Sequence, residues 1–194
     1  MEHGILTLSS LIMIKFHISN PEKLIKQNLK LLKNMTNIFT IGVYNSTEDA
    51  YFQKLVENKV DAFCDIRQRR GVRGSQYKYV NSNYLQRKLA EMGIKYLYIK
   101  ELAPTNEIRQ KQKDADKLNN ETKKLRTSLG QIFVNEYNKQ ILDNFNLDVL
   151  ISALNEVGAQ NPVLFCVEEK AEACHRSLVA KALSDKLGVN VINL

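Results

Sequence analysis

The chain has 194 residues, room for one domain with a full core but not comfortably for two, and its 44% hydrophobic and 25% charged content argues against a disordered or fibrous protein. A net charge of +7 leaves an anionic small molecule or a nucleic acid open as partner, beside a merely solvated basic surface. Three cysteines, Cys64, Cys166 and Cys174, are an odd count without framework spacing, which argues against a disulfide scaffold and for a reducing, cytoplasmic setting.

Residues 1–36 read as an N-terminal extension. The apolar run Ile5 to Ile18 lacks the positive start of a signal peptide and, with Lys15 and His17 inside it, is too short and polar to span a bilayer, so a strand or coil is expected. Pro21 to Met35 follows as an amphipathic helix with Leu24, Ile25, Leu29 and Leu32 near one face. From residue 37 to 194 a single α/β domain is expected. Strands over Ile38 to Val43, Val60 to Ile66 and Ile94 to Ile99 alternate with helices over Thr47 to Asn58 and Asn81 to Met92. That alternation predicts a doubly wound, Rossmann-like sheet, parallel or mostly so. Between about 105 and 145 the strand signal gives way to a helical insertion whose first part, Gln110 to Lys117, is very polar; it reads as a solvated helix or a basic cover over a site. Helices near Gly130 to Leu142 and Leu147 to Val157 come next, then a strand from Val163, a helix carrying Leu178, Val179, Ala182, Leu183 and Leu187, and a last strand over Val189 to Ile192.

In a parallel sheet the carboxyl ends of the strands lie along one edge, where such folds bind ligands. Polar residues collect just past four of these ends: Tyr44 and Ser46; Asp65 and Arg67, with Arg69, Arg70 and Arg73 behind them; Glu101; and Cys166, Glu168, Cys174, His175 and Arg176. Arg67 and Arg176 suit an anion clamp, aided by Tyr44, Ser46 and Arg73. Asp65, Glu101 and Glu168 suit acid or base work, and Cys174 or Cys166 a nucleophile with His175 as proton carrier. A structural ion pair explains Asp65 and Arg67 equally, and inert core thiols explain the cysteines. Cys174, His175 and Arg176 are expected in or near a helix's first turn, where backbone N–H groups favour an anion.

A metal site is not expected, because Cys166, Cys174 and His175 lack paired ligand spacing and positions 174 and 175 point about 100° apart on a helix. A phosphatase loop is also missing, since Glu172 and Ala180 stand where its arginine belongs, and no glycine-rich phosphate loop occurs. No cofactor is named by any motif.

Four segments together resemble a known family, Domain of Unknown Function family 488: Thr40-Ile41-Gly42 with Tyr44 to Ser46, Asp65-Ile66-Arg67 with a basic loop, Gly93-Ile94-Lys95-Tyr96 with Glu101-Leu102, and Leu164 to Glu168 with Cys174-His175-Arg176-Ser177. The resemblance runs from about Asn37 to the end. The chain departs from it at Gly42-Val43-Tyr44-Asn45, in place of glycine-histidine-serine, and at Gln68-Arg69-Arg70, which lacks a proline after the arginine. The resemblance implies a compact α/β domain of unassigned activity. The residues themselves favour an enzyme acting on a nucleotide, sugar phosphate or similar anion, with a nucleic-acid-binding or nucleotide-sensing protein as the alternative.

Overall fold

The computed structural model describes residues 35–123 and 125–194, so the strand and helix expected before Met35 lie outside the described residues. Five strands form one all-parallel sheet: β1 (Asn37–Ile41), β2 (Ala62–Asp65), β3 (Lys95–Tyr98), β4 (Pro162–Phe165) and β5 (Asn190–Asn193), in the order β3-β2-β4-β1-β5. Among the described residues six α-helices flank it: α1 (Glu48–Glu57), α2 (Ser82–Glu91), α3 (Asn106–Leu118), α4 (Gln131–Tyr137), α5 (Leu147–Glu156) and α6 (His175–Leu187). The Rossmann-like α/β class is therefore present. Among the described residues no helix is long and apolar enough to cross a membrane.

α1 and α3 begin where short polar side chains satisfy free backbone donors. Thr47 accepts from Ala50 N at 3.3 Å and Thr105 from Ile108 N at 3.2 Å. Gly188, at φ 68°, ends α6 in the left-handed region that a side chain disfavours. The strands are shorter than their apolar runs. Val60 and Ile66 are buried but lie outside the ladder, which for β2 starts at the Ala62 and Pro162 pair and ends at Asp65 and Phe165. Hydrophobicity marks burial; it does not mark where ladder pairing stops.

Alternation along the strands divides the core into two layers. Phe39, Ile41, Phe63, Val163 and Phe165 pack with Tyr51 and Leu55 of α1 and Leu85 and Leu89 of α2. Ile38, Cys64, Leu97 and Leu164 pack with Tyr137 of α4, Leu150 of α5 and Val179 and Leu183 of α6.

From β1 the chain passes by α1 to β2, on one side, whereas from β4 it passes by α6 to β5, on the other. The carboxyl ends of β1 and β4 are therefore the switch point of the sheet, the place where doubly wound folds open a crevice. Here its floor is knitted from backbone. Val43 N and Tyr44 N both donate to Val167 O, at 3.2 and 3.1 Å, and Cys166 N donates to Ile41 O at 3.3 Å. Gly42 permits this approach. A Cβ there would lie 1.8 Å from the Glu168 carbonyl oxygen and 2.8 Å from its carbonyl carbon.

Gly42→Ala is thus expected to force the 166–169 loop off β1 and cost about 3 kcal/mol in urea unfolding, the upper end for overpacking because backbone, not a rotatable side chain, must move. Gly71→Ala, whose Cβ would meet nothing nearer than Asn81 Oδ1 at 3.7 Å, serves as the control and should change stability by less than about 0.5 kcal/mol. Equal effects of the two substitutions would remove the packing argument.

Candidate functional site

Cys166 follows β4, and Cys174 is the residue before the first turn of α6. Its backbone is extended, φ −138° and ψ 143°, so it is not part of the helix, and this corrects the premise that positions 174 and 175 diverge as helical neighbours. Ser177 holds the turn, donating through N and Oγ to Cys174 O at 3.1 and 2.9 Å. As a result one ligand-type atom each from Cys166, Cys174 and His175 lie within 4.8 Å of one another, all three residues buried.

His175 is oriented by the end of β2. Its Nε2 stands 3.2 Å from the Ile66 carbonyl oxygen, which can only accept, so Nε2 carries a proton and Nδ1 is the nitrogen that faces Cys174 Sγ at 3.7 Å. Tyr137 packs its ring 5.5 Å from the imidazole and anchors itself by donating to Leu102 O at 2.5 Å. Burial alone would lower the His175 pKa, but the Cys166 thiol and the Glu168 carboxylate outweigh it and raise it. Hydrogen bonding with Cys174, followed by burial, pushes the Cys166 thiol well up.

Glu168 completes the cluster. Oε1 faces Lys123 Nζ at 3.2 Å and Arg126 Nη2 at 3.6 Å, while Oε2 is buried without a hydrogen-bond partner. Burial works to raise this acid, and Lys123, then the Cys174 thiol and His175, bring it down to about 2, so it is ionised. Both cations come from the insertion. Arg126 is fixed by Asp116 at 2.9 Å and by Ala173 O, to which Nη2 donates at 2.8 Å; Asp116 in turn accepts from Gln112 Nε2 at 2.7 Å. The inward face of α3 therefore runs Ile108, Gln112, Asp116, while Gln110, Lys113, Asp114 and Lys117 of the very polar segment are exposed. Sequence reasoning missed Lys123, Arg126, Asp116 and Tyr137. The available signal was the four-residue spacing of Ile108, Gln112 and Asp116.

Arg109, also on α3, was missed as well. Burial, and then the charge of Arg69 on the loop after β2, lower its pKa, while Cys166 acts the other way. Among the described residues neither arginine has an acidic partner within ion-pair distance.

Asp65 and Arg67 lie on either side of the Ile66 carbonyl that orients His175. They form a closed unit: Arg67 Nε donates to Asp65 Oδ1 at 2.8 Å and Nη2 to Oδ2 at 2.7 Å, Arg67 N donates to Oδ1 at 3.1 Å, and Tyr96 OH to Oδ2 at 2.8 Å. Arg67 also lies 4.4 Å over the Phe165 ring. Burial would lower its pKa, and the Asp65 carboxylate reverses this. With Asp65 wholly buried, its oxygens are committed to protein donors, although Arg67 Nη1 is buried without a partner.

Among the described residues Arg176 is the largest fully buried side chain, 1% exposed. Nη1 donates to Glu168 O at 2.6 Å, Nη2 to Glu169 O at 2.7 Å and Nε to Thr40 Oγ1 at 3.3 Å. Its fork meets two carbonyls of the loop after β4 where an anion had been expected, so it shapes the site from behind.

The remaining candidates are placed further out. Half-buried Tyr44 is close enough to Lys123 and Glu168 for their charges to act on it, though burial is the main reason its pKa is raised. With Ser46 it also lines a hollow of about 230 Å³ beside Glu169 and the start of α1. Arg73 is exposed on the loop after β2. Glu101 does not join the cluster: it is exposed and lines a different hollow, of about 290 Å³, with Phe145 and Val149. The chain turns into a short 3-10 helix, Lys100–Leu102, immediately past β3, and that turn carries Glu101 away.

No curated protein and no solved structure matches the chain. The sequence model of the domain of unknown function DUF488 matches residues 46–183. That span runs from the loop before α1 into α6, leaving out the Gly42 segment but taking in Asp65, Arg67, Glu168, Cys174, His175 and Arg176, and the chain belongs to this family.

Proposed function

We propose that the protein is an enzyme acting on an anionic small molecule, a nucleotide, sugar phosphate or related compound, at the carboxyl ends of β1, β2 and β4. One observation carries this reading: two thiols and an imidazole meet at the switch point beside a buried carboxylate with an unpaired oxygen. Buried polar atoms in native proteins are nearly always paired, and exceptions gather where a ligand belongs. Glu168 is the proton acceptor in this scheme, and Cys174 with His175 forms the reactive pair. Arg69, exposed on the loop after β2, and Arg109, half-buried on α3, are the cations assigned to the anion. Lys123, 54% exposed over Glu168, borders the approach.

A thermal-shift screen of phosphorylated metabolites tests the reading, because a ligand at 100 times its Kd adds about 2.7 kcal/mol of stability. The expected result is a hit whose affinity falls roughly ten- to hundredfold in Arg69→Ala and Arg109→Ala, the loss of a charged hydrogen bond. In Glu168→Gln the hit still binds and turnover falls by about 10² or more. A screen without hits, or hits indifferent to both arginines, would sink it. The exposed Arg69, Arg73 and Lys78 on one loop favour a nucleic acid as the second reading. In that case single-stranded oligonucleotides bind, with affinity falling steeply as salt rises.

A further inference from the structure

We infer that Cys166, Cys174 and His175 form a binding site for a zinc-class divalent ion, with one coordination position left open toward Glu168. The inference rests on the same cluster being a reactive centre, and it gives the thiols and imidazole a different part in it, as ligands.

The donor set comes first. Two thiolates and an imidazole suit zinc and its close chemical relatives, and three protein ligands with a vacant fourth position is the arrangement of catalytic zinc sites, as distinct from closed structural ones. The geometry agrees. Sulfur and nitrogen ligands at about 2.3 and 2.0 Å from a tetrahedral zinc stand about 3.5 Å apart. Cys174 Sγ and His175 Nδ1 are 3.7 Å apart, and the three ligand atoms all lie within 4.8 Å of one another.

A second, independent observation concerns the other ring nitrogen. Metal-bound histidines almost always donate their free N–H to a carbonyl or carboxylate, which fixes the tautomer and aims the lone pair. His175 Nε2 faces the Ile66 carbonyl at 3.2 Å, so Nδ1, the nitrogen aimed at Cys174, is the one able to ligate. The same Ile66 sits between Asp65 and Arg67, whose closed ion pair holds that stretch of backbone in place.

Glu168 supplies the third. It is not one of the three mutually close ligand residues, and its Oε2 is buried with no partner. A water completing the tetrahedron would donate to that oxygen. Charge balances as well: two thiolates and Glu168 are matched by a divalent ion and Lys123, while Arg126 is already matched by Asp116.

The test is a cobalt titration of the reduced, metal-stripped protein, followed by competition with zinc. One equivalent of cobalt is expected to produce thiolate charge-transfer absorption and the visible bands of a tetrahedral ion, and zinc should displace it. Cys166→Ser and Cys174→Ser should each weaken or abolish the charge-transfer signal and binding by at least about tenfold. Cys64→Ser, in β2 and outside the cluster, should leave both unchanged. Should a serine variant fail to fold, protection of the wild-type thiols from iodoacetamide by one equivalent of zinc gives the same information. No cobalt spectrum and no protection from alkylation, or a spectrum that survives both serine substitutions, would overturn the metal site. A ligand from the phosphorylated library that still binds metal-free protein would then keep the enzyme reading alive with Cys174 as nucleophile, so the two failures are separable.

Discussion

Replacement of Arg176 by methionine is expected to destabilise the domain by about 5 kcal/mol, among the largest effects a single substitution here should produce. Methionine approximates the length of the stem but has no donors. The Glu168 and Glu169 carbonyls each lose a charged hydrogen bond, worth about 1.5–3 kcal/mol, and where they stay buried the cost of leaving an acceptor unmet is added. Thr40 loses its contact with Nε but keeps the bond from its hydroxyl to Asn193 Oδ1 at 2.7 Å, so the damage should centre on the loop after β4 and not on the β1 and β5 pair. Arg176→Lys should recover less than half of the loss, because one ammonium cannot reach both carbonyls and the hydroxyl in the planar arrangement of the fork. Urea unfolding measures both. Cobalt binding by the folded fraction should also weaken, since the loop carries Glu168 and leads into Cys174. A methionine variant that melts like the wild type and merely loses phosphorylated ligands would return Arg176 to the role of anion clamp.

That substitution shows where a sequence stops being readable. Strand and helix alternate from Ile38 onward in apolar period and capping residues, so the parallel α/β architecture, with a helix capped at Thr47, follows from local physics. The edge on which Asp65, Glu168, Cys174 and His175 would gather follows too, because parallel strands put their carboxyl ends on one side. Whether a guanidinium there faces a ligand or a carbonyl is a matter of a few ångströms that composition and spacing do not carry. Arg176 and Arg67 look alike in sequence and meet different partners, two main-chain oxygens in one case and a carboxylate in the other. Glu101 illustrates the reverse: it stands at a strand end like the others, and one 3-10 turn removes it.

The insertion was hard to read for a different reason. Periodicity analysis finds buried faces through apolar residues, and the inner face of α3 carries Gln112 and Asp116, buried because they are satisfied by Gly130 N and Arg126. A polar face paired with polar partners looks like solvent exposure until the partner is seen. Gly42 belongs to the same class. Its neighbour in space, the Glu168 carbonyl, is far along the chain, so its need for a missing side chain is a tertiary fact.

Asp65→Asn is expected to cost about 4 kcal/mol, within the range for breaking a buried ion pair from one side. The amide keeps the shape of the carboxylate but removes its charge, so it can no longer accept from both Arg67 nitrogens and Tyr96 as well. Arg67, itself 4% exposed, is left as an uncompensated cation over the Phe165 ring. Its own backbone N–H, bonded to Oδ1, ties the same carboxylate to the turn out of β2, and this turn presents the Ile66 carbonyl to His175. Desolvation makes such a pair costly to form and more costly to halve, so removal of both charges should be gentler than removal of one. The double variant Asp65→Leu with Arg67→Met should therefore be at least about 2 kcal/mol more stable than Asp65→Asn, even with Tyr96 losing its acceptor. Equilibrium unfolding of Asp65→Leu, Arg67→Met and the double variant gives the coupling directly. If Asp65→Asn instead unfolds like the wild type while turnover of a screened substrate disappears, Asp65 is an acid or base in the reaction, and the ion pair is no more than its resting arrangement.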